Sequence, residues 1–166
     1  GLGNIYEIND FNKRQLNIAE KILMLDKPIW ASCWGLQVFV TVYGGKISNS
    51  SNPEFGYSSN IKILKNSYVY KNKLDKFSAP GHHYDSIETL PNELQVIAEN
   101  SFSIQAIEDK NKKLFCTQYH PELPYTFIAK LMLYWKKNYL KTMTENSFKI
   151  LISKLENLEK KDNFNR

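Results

Sequence analysis

Cysteine and arginine are scarce in this chain, and each shortage excludes a class of protein. Two cysteines among 166 residues cannot form the multiple-disulfide framework of a small secreted scaffold. The only arginines are Arg14 and Arg166, so the net charge of +5 comes from lysines spread along the chain. Because specific nucleic-acid readers depend on arginine forks, basic clusters and stacking aromatics, we expect no nucleic-acid partner.

Long apolar runs are also missing. The sequence has no segment of about 18 consecutive apolar residues, the length that a membrane-spanning helix needs, and no lipidation motif. We therefore expect a cytoplasmic protein that has no membrane partner. With 42% hydrophobic residues over 166 positions, the chain can build one ordinary core, which predicts a single domain over residues 1–166.

One cysteine stands where a strand pattern gives way to a helix pattern. The segment Pro28–Ser32 is short and largely apolar, which predicts a buried strand. Residues Trp34–Tyr43 are almost all apolar and are followed by Gly44, which predicts a buried helix. Cys33 therefore lies at a helix N-terminus, where free N–H groups and the helix dipole favour an anion. We expect a reactive thiol at this position.

A second candidate segment lies 87 positions downstream. The aromatic and β-branched run Leu114–His120 predicts a strand that is stopped by Pro121. His120 and Glu122 are two residues apart, so in extended backbone their side chains emerge on the same side. The carboxylate can then accept a hydrogen bond from one imidazole nitrogen and leave the other nitrogen free to exchange a proton with a thiol.

Two further histidines, His82 and His83, are adjacent in the sequence. On a strand their side chains point to opposite faces, and no set of cysteines or carboxylates accompanies them. We therefore expect neither a metal site nor a cofactor.

The segments Cys33–Gln37 and Gln118–Glu122 resemble the nucleophile motif and the histidine–glutamate motif of the class I glutamine amidotransferases. Within that family the chain is most similar to stand-alone domains like the amidotransferase part of GMP synthase. Further segments follow in the family's order and approximate spacing: Asn52–Gly56, Ala79–Pro80, His83 with Asp85, Leu90–Pro91, Ala98 with Asn100, and Gln105–Ala106.

The resemblance implies an α/β fold, an open and mostly parallel sheet flanked by helices, flavodoxin-like, with an antiparallel extension. Related domains carry a further strand and helix before the nucleophile, so we expect the N-terminal strand to be missing and the domain to be incomplete at its N-terminus. The residues themselves predict two extended segments, Lys46–Ser48 and Ser58–Leu64, separated by a loop that carries Glu54. Short connections between the later extended segments, Leu94–Ala98, Ser103–Glu108 and Leu114–His120, predict that these strands pair antiparallel.

The resemblance also implies an activity, hydrolysis of the side-chain amide of glutamine through a thioester. Cys33 is then the nucleophile, His120 the general acid and base, and Glu122 the residue that orients His120. By the same resemblance, the oxyanion donors are the backbone N–H of Trp34 and one from a glycine loop near the start of the chain, for which Gly1 and Gly3 are the candidates.

The family lines its glutamine pocket at positions that correspond here to Gln37, His83, Tyr84 and Asp85. The implied partners are glutamine or another γ-glutamyl small molecule, and a separate synthetase that accepts the ammonia. Two alternatives remain open: a γ-glutamyl hydrolase that acts on a small γ-glutamyl compound, and a non-catalytic regulatory relative. Asp85 is followed by Ser86, where the family often has glutamate, and this departure leaves the substrate open.

Overall fold

A computed structural model describes residues 3–64, 67–71 and 75–164, the last four of these by their backbone alone. In chain order its helices and strands are α1 (Asp10–Leu23), β1 (Ile29–Ser32), α2 (Trp34–Val42), β2 (Lys46–Ile63), β3 (Lys76–Thr89), β4 (Gln95–Glu99), β5 (Ile104–Asp109), β6 (Leu114–Thr117), α3 (Tyr125–Tyr134), α4 (Lys136–Tyr139) and α5 (Glu145–Phe164). The strand and helix predicted on either side of Cys33 are confirmed as β1 and α2. The prediction that the strand is buried is wrong: none of its four residues is buried, because β1 is an edge strand of the sheet.

The described strands form one mixed sheet in the order β1-β6-β5-β4-β2-β3. The α/β class and the flanking helices are confirmed, but the prediction of a mostly parallel sheet is wrong. Among the described strands only β1 and β6 pair in parallel, and the other neighbours are antiparallel. The reason is the length of the connections: residues 100–103 and 110–113 join consecutive strands, whereas a parallel crossover needs a dozen or more residues.

β1 lies at one edge of this sheet. The expected further strand upstream of it, and the single domain over residues 1–166, stay predictions.

β2 differs from the two short strands predicted for this region. It is one strand of 18 residues, and residues 50–53 bulge from its ladder with β3 between the pairs Asn49–Asp85 and Glu54–His83. The prediction that Glu54 lies in a loop is therefore wrong. The bulge contains the polar Ser-Asn-Pro stretch, which does not pair with β3. Pairing resumes directly after it, with Glu54 opposite His83.

Helices cover both faces of the sheet. Successive residues of β5 and β6 point to opposite faces, so Ile107 and Cys116 join the core beneath α1 and α2, whereas Ala106 and Phe115 face a second cluster. A third apolar cluster joins α3 and α5 to β2. Across residues 3–64, 67–71 and 75–164, no helix combines the length and the apolarity that crossing a bilayer requires.

Candidate active site

Cys33 occupies a strained turn between β1 and α2. Its backbone has φ 48° and ψ −101°, a conformation that side-chain-bearing residues rarely adopt outside functional sites. The backbone N–H of Cys33 donates to the carbonyl of Thr117 at 2.7 Å, which ties the turn to β6. A Cβ at Gly35 would lie 2.8 Å from the Cβ of Ala31. The glycine of the motif therefore allows α2 to start tightly against β1.

His120 reaches the same place from the end of β6. The strand ends at Thr117 and not at His120 as predicted, because the chain then crosses towards β3, where the His120 N–H donates to the carbonyl of Pro80 at 2.7 Å. The Nδ1 atom of His120 lies 2.7 Å from Oε1 of Glu122, and Cys33 is close enough to the ring to raise the pKa of His120. Since Nδ1 is engaged by the carboxylate, Nε2 is the nitrogen that remains for the thiol.

His120 and Glu122 each stabilise the charged form of the other. Burial alone would lower the pKa of His120, but the hydrogen bond and charge of Cys33, followed by those of Glu122, raise this pKa above its ordinary value. Burial would raise the pKa of Glu122, yet hydrogen bonds from His120, from its own backbone and from Ser32 hold it below its usual range. The site therefore favours an imidazolium beside a carboxylate.

Cys33 and His120 line a cavity of about 770 Å³, whereas Glu122 does not line it and is linked to it through His120. Of the positions predicted from the sequence, the following line it: Gly3, Cys33, Trp34, Gln37, His83, Tyr84, Asp85 and His120. Gly3 has φ +101°, which suits glycine, and Gly1 lies outside the described residues. The far wall comes from the C-terminal helices, among them Leu131, Trp135 and Tyr139.

Among the predicted pocket residues, Gln37 is buried on α2 and Tyr84 is half exposed on β3. Asp85 is buried, and this burial raises its pKa against the opposing hydrogen bonds of Asn49 and Tyr6. These three side chains approach the cavity from two different elements, α2 and β3.

His83 is the predicted pocket residue whose side chain is already fully engaged. Its Nδ1 lies 2.9 Å from the carbonyl oxygen of Asp85 and its Nε2 lies 3.1 Å from Oε2 of Glu54. Only 1% of the side chain is exposed. Both polar atoms of the ring are therefore bonded within the protein. His83 nevertheless lines the cavity, and its part in substrate binding stays a prediction.

Glu54 is the centre of the network that holds His83. Its carboxylate also accepts from Asn100 Nδ2 at 2.8 Å and from Gln105 Nε2 at 2.5 Å. Burial opposes its ionisation, but the hydrogen bond and charge of His83 and the two amide donors keep the pKa of Glu54 below its ordinary range. The protein interior thus favours the ionised form of the Glu54 carboxylate, because His83, Asn100 and Gln105 all bind it.

His82 begins the stretch His82–Asp85, which the family resemblance places at the glutamine pocket, and it lines the cavity. Its carbonyl oxygen accepts from the Cys33 thiol at 3.7 Å, and its Nε2 lies 2.9 Å from the hydroxyl of Tyr139. Burial, followed by the charges of His83 and His120, lowers the pKa of His82 to about 4. The imidazole is therefore neutral at physiological pH, beside the thiol.

Sequence reasoning missed Ser32, Glu54 and Tyr139. Two of these carried a signal, since Ser32 precedes the nucleophile and Glu54 stands in the motif Asn52–Gly56. Tyr139 lies on the short helix α4 and had no signal, because only folding brings it to the cavity. In the part of the chain that the structure describes, no group of three or more His, Cys, Asp or Glu side chains is arranged to hold a metal ion.

Comparison with known proteins identifies the family. Residues 1–135 match the sequence model of the family "Glutamine amidotransferase class-I". The chain therefore belongs to the class I glutamine amidotransferases.

Two curated relatives are GMP synthases [glutamine-hydrolyzing]. The protein of Wolbachia pipientis wMel is 33% identical over 140 residues, which cover 78% of this chain and 27% of the relative. The protein of Finegoldia magna is 31% identical over 141 residues, which cover 84% of this chain and 26% of the relative. The chain thus spans about a quarter of the length of these relatives, and it is related to their glutaminase part.

Solved structures share the fold. A glutamine amidotransferase of Thermotoga maritima superposes with a TM-score of 0.81 at 21% identity, over 96% of this chain and 69% of that one. A glutamine amidotransferase of Methylobacillus flagellatus gives a TM-score of 0.68 at 16% identity, over 78% and 52% of the two chains. At these identities the likeness concerns the fold alone.

Proposed function

We propose that this chain hydrolyses the side-chain amide of glutamine through a cysteinyl thioester and passes the ammonia to a synthetase acceptor. One observation carries the proposal: His120 and Cys33 line the same cavity, and His120 Nδ1 is held by Glu122, which leaves Nε2 for the thiol. Membership of the amidotransferase family supports glutamine as substrate. The name of the relatives, which joins glutamine hydrolysis to GMP synthesis, supports a synthetase as acceptor.

In the acylation half of the reaction, Cys33 transfers its proton to His120 and the sulfur attacks the amide carbon. The carbonyl π electrons move to oxygen, which gives a tetrahedral oxyanion. As this intermediate collapses, the C–N bond breaks and His120 returns the proton to the departing nitrogen, so that ammonia leaves and a glutamyl thioester remains. Glu122 stabilises the imidazolium through both proton transfers.

In the deacylation half, water takes the place that ammonia has left. His120 removes a proton from the water as it attacks the thioester carbon, and a second oxyanion forms. Its collapse breaks the C–S bond, the sulfur leaves as thiolate and recovers the proton from His120, and glutamate is released.

Both oxyanions need donors that are already in place. The backbone N–H of Trp34, the first residue of α2, has no intrahelical acceptor because of its position, and Trp34 lies at the cavity next to Cys33. Gly3 lies at the same cavity, and we assign the second donor to it. Removal of one such donor typically costs about 2.7 to 4 kcal/mol of transition-state stabilisation.

The test combines an electrophilic glutamine analogue with mass spectrometry and a glutaminase assay. We expect the analogue to modify Cys33 and to leave Cys116 unlabelled, because Cys116 is fully buried and burial raises its pKa. Cys33→Ser should lower kcat/KM by about 10⁴-fold or more, and His120→Ala by about 10² to 10⁴-fold.

The same assay separates the alternatives. Labelling at Cys116 alone would contradict the mechanism. Turnover of other γ-glutamyl compounds but not of glutamine would identify a γ-glutamyl hydrolase. Unchanged biological function of Cys33→Ser would point to a non-catalytic relative.

A further inference from the structure

The hydroxyl of Ser32 and the imidazole of His120 meet on the same carboxylate oxygen. Ser32 Oγ donates to Oε1 of Glu122 at 2.9 Å, and His120 Nδ1 lies 2.7 Å from that same atom. Ser32 is the last residue of β1 and immediately precedes Cys33. The chain therefore places a hydroxyl next to the nucleophile in sequence. This hydroxyl bonds Glu122, so it is linked to His120 only through that carboxylate.

Glu122 needs such an anchor because its own position is open. It follows Pro121 in the turn after β6, and 33% of its side chain is exposed. A carboxylate with this exposure has water as an alternative partner and can rotate away from an imidazole. Its own backbone N–H also bonds the carboxylate, but that group lies in the same turn and does not tie the carboxylate to the sheet.

Ser32, in contrast, stands on a rigid element. β1 pairs in parallel with β6 up to the pair Ser32–Thr117, and the next N–H, that of Cys33, continues the contact to the Thr117 carbonyl at 2.7 Å. β1 thus ends in Ser32 and leads directly into Cys33. The same stretch of backbone therefore positions both the thiol and the hydroxyl that binds Glu122.

From this geometry we infer that Ser32 is a positioning residue, which holds the Glu122 carboxylate so that His120 presents its other ring nitrogen to Cys33. The inference rests on the proposed function. Ser32 itself exchanges no proton with the substrate. The charged and titratable groups that face His120 are Cys33 from the turn after β1, Glu122 from its own turn and His82 from β3.

The kinetic test compares Ser32→Ala with Ser32→Thr, which keeps a hydroxyl, and with Ser48→Ala, which removes the hydroxyl of a half-buried serine on β2 that does not line the cavity. We expect Ser32→Ala to lower kcat for glutamine hydrolysis by about tenfold, the value of one hydrogen bond to a charged group, with KM within about twofold. Ser32→Thr should recover most of this loss, and Ser48→Ala should match the wild type. A wild-type kcat in Ser32→Ala would overturn the inference.

A second readout does not depend on turnover. The chain has only three histidines, His82, His83 and His120, so their ring signals can be followed by NMR titration. Freed from Ser32, the carboxylate stabilises the imidazolium less, and the midpoint of His120 should move to lower pH in Ser32→Ala but not in Ser32→Thr. In a Glu122→Ala background the same serine change should leave the midpoint where it is, because the two residues act in series.

The two readouts distinguish the failure of this inference from the failure of the proposed function. A wild-type protein without glutaminase activity whose His120 midpoint still depends on Ser32 would refute the function and keep the positioning role. A His120 midpoint that ignores Ser32→Ala in the wild-type background would refute the positioning role, whatever the activity.

Discussion

Two histidine–glutamate pairs lie among the residues that the structure describes, and they differ in burial and in how they are built. His120 and Glu122 are 2.7 Å apart with 19% and 33% of their side chains exposed. His83 and Glu54 are 3.1 Å apart with 1% and 4% exposed. The first pair comes from one turn, whereas the second joins two strands at positions 29 residues apart.

The second ring nitrogen explains what each pair can do. In His120 it is left for Cys33, since Nδ1 is held by Glu122, so a proton can move at Nε2 without breaking the hydrogen bond to Glu122. In His83 it is bonded to the Asp85 carbonyl, and every neighbour of the pair is a protein group. A histidine–glutamate pair is therefore suited to proton transfer where one nitrogen is left open, and to holding strands together where both are occupied.

The largest effect that tests this comparison is on stability. Glu54→Gln keeps the shape of the side chain but turns an NH₂ group towards donors, and we expect it to lower the free energy of unfolding by about 3 to 5 kcal/mol. Glu122→Gln, its control in the more exposed pair, should cost about 1 kcal/mol or less. Urea unfolding followed by tryptophan fluorescence measures both.

Equal losses from Glu54→Gln and Glu122→Gln would contradict the division between a structural and a functional pair. Should Glu54→Gln fail to fold, Asn100→Ala removes one donor to the same carboxylate and gives a smaller loss of the same sign, about 1 to 3 kcal/mol.

A smaller effect comes from His82, whose pKa is lowered by burial and then by the charges of one histidine from each pair. The folded protein keeps this group neutral down to about pH 4, while the unfolded chain binds the proton near its ordinary value of 6.5. The unfolded state binds more protons in between, so the free energy of unfolding should fall by about 2 kcal/mol from about pH 6.5 to about pH 5.

His82→Phe should remove this slope, because the replacement ring fits among the neighbouring aromatic side chains and carries no titrating group. His120, whose pKa is raised, works in the opposite sense: its contribution is complete below its ordinary value and is lost as pH rises through the folded value. An unchanged slope in His82→Phe would show that His82 is not the group responsible.

The smallest effect concerns the hydroxyl of Tyr139, which lies 2.9 Å from His82 Nε2. Tyr139→Phe removes one hydrogen bond from a buried imidazole and should lower the free energy of unfolding by about 1 kcal/mol. Tyr134, with 80% exposure, is the matched control, and Tyr134→Phe should change stability by less than about 0.5 kcal/mol. Indistinguishable tyrosine variants would mean that the contact with His82 contributes nothing.

Those parts of the fold that depend on neighbouring residues were predictable. An apolar strand, a cysteine and an apolar helix follow one another without interruption, and β1, Cys33 and α2 take the expected places. The contact between His120 and Glu122 was also predicted, but from an extended backbone, whereas the structure forms it in the turn after β6. Short connections also indicated the antiparallel strands, although the expectation of a mostly parallel sheet overruled them and was wrong.

Contacts between distant segments were not predictable from local pattern. The bulge at residues 50–53 decides that Glu54 pairs with His83, and nothing in the polarity of that stretch specifies its register. The contact of Tyr139 with His82 was not predictable either. Its local sequence indicates only a helix, and the position of α4 in the fold brings the hydroxyl to the imidazole. Register and helix docking are set by the summed packing of whole elements, which no short window of sequence contains.

By itself, then, the sequence determined the reactive groups and their immediate backbone: a thiol at a strand-to-helix turn and an imidazole with a carboxylate two residues away. Only the tertiary structure decided which groups those side chains meet. Pairing of β1 with β6 brings Ser32 and Cys33 to Glu122 and His120, because a sheet aligns the ends of neighbouring strands whatever their distance along the chain.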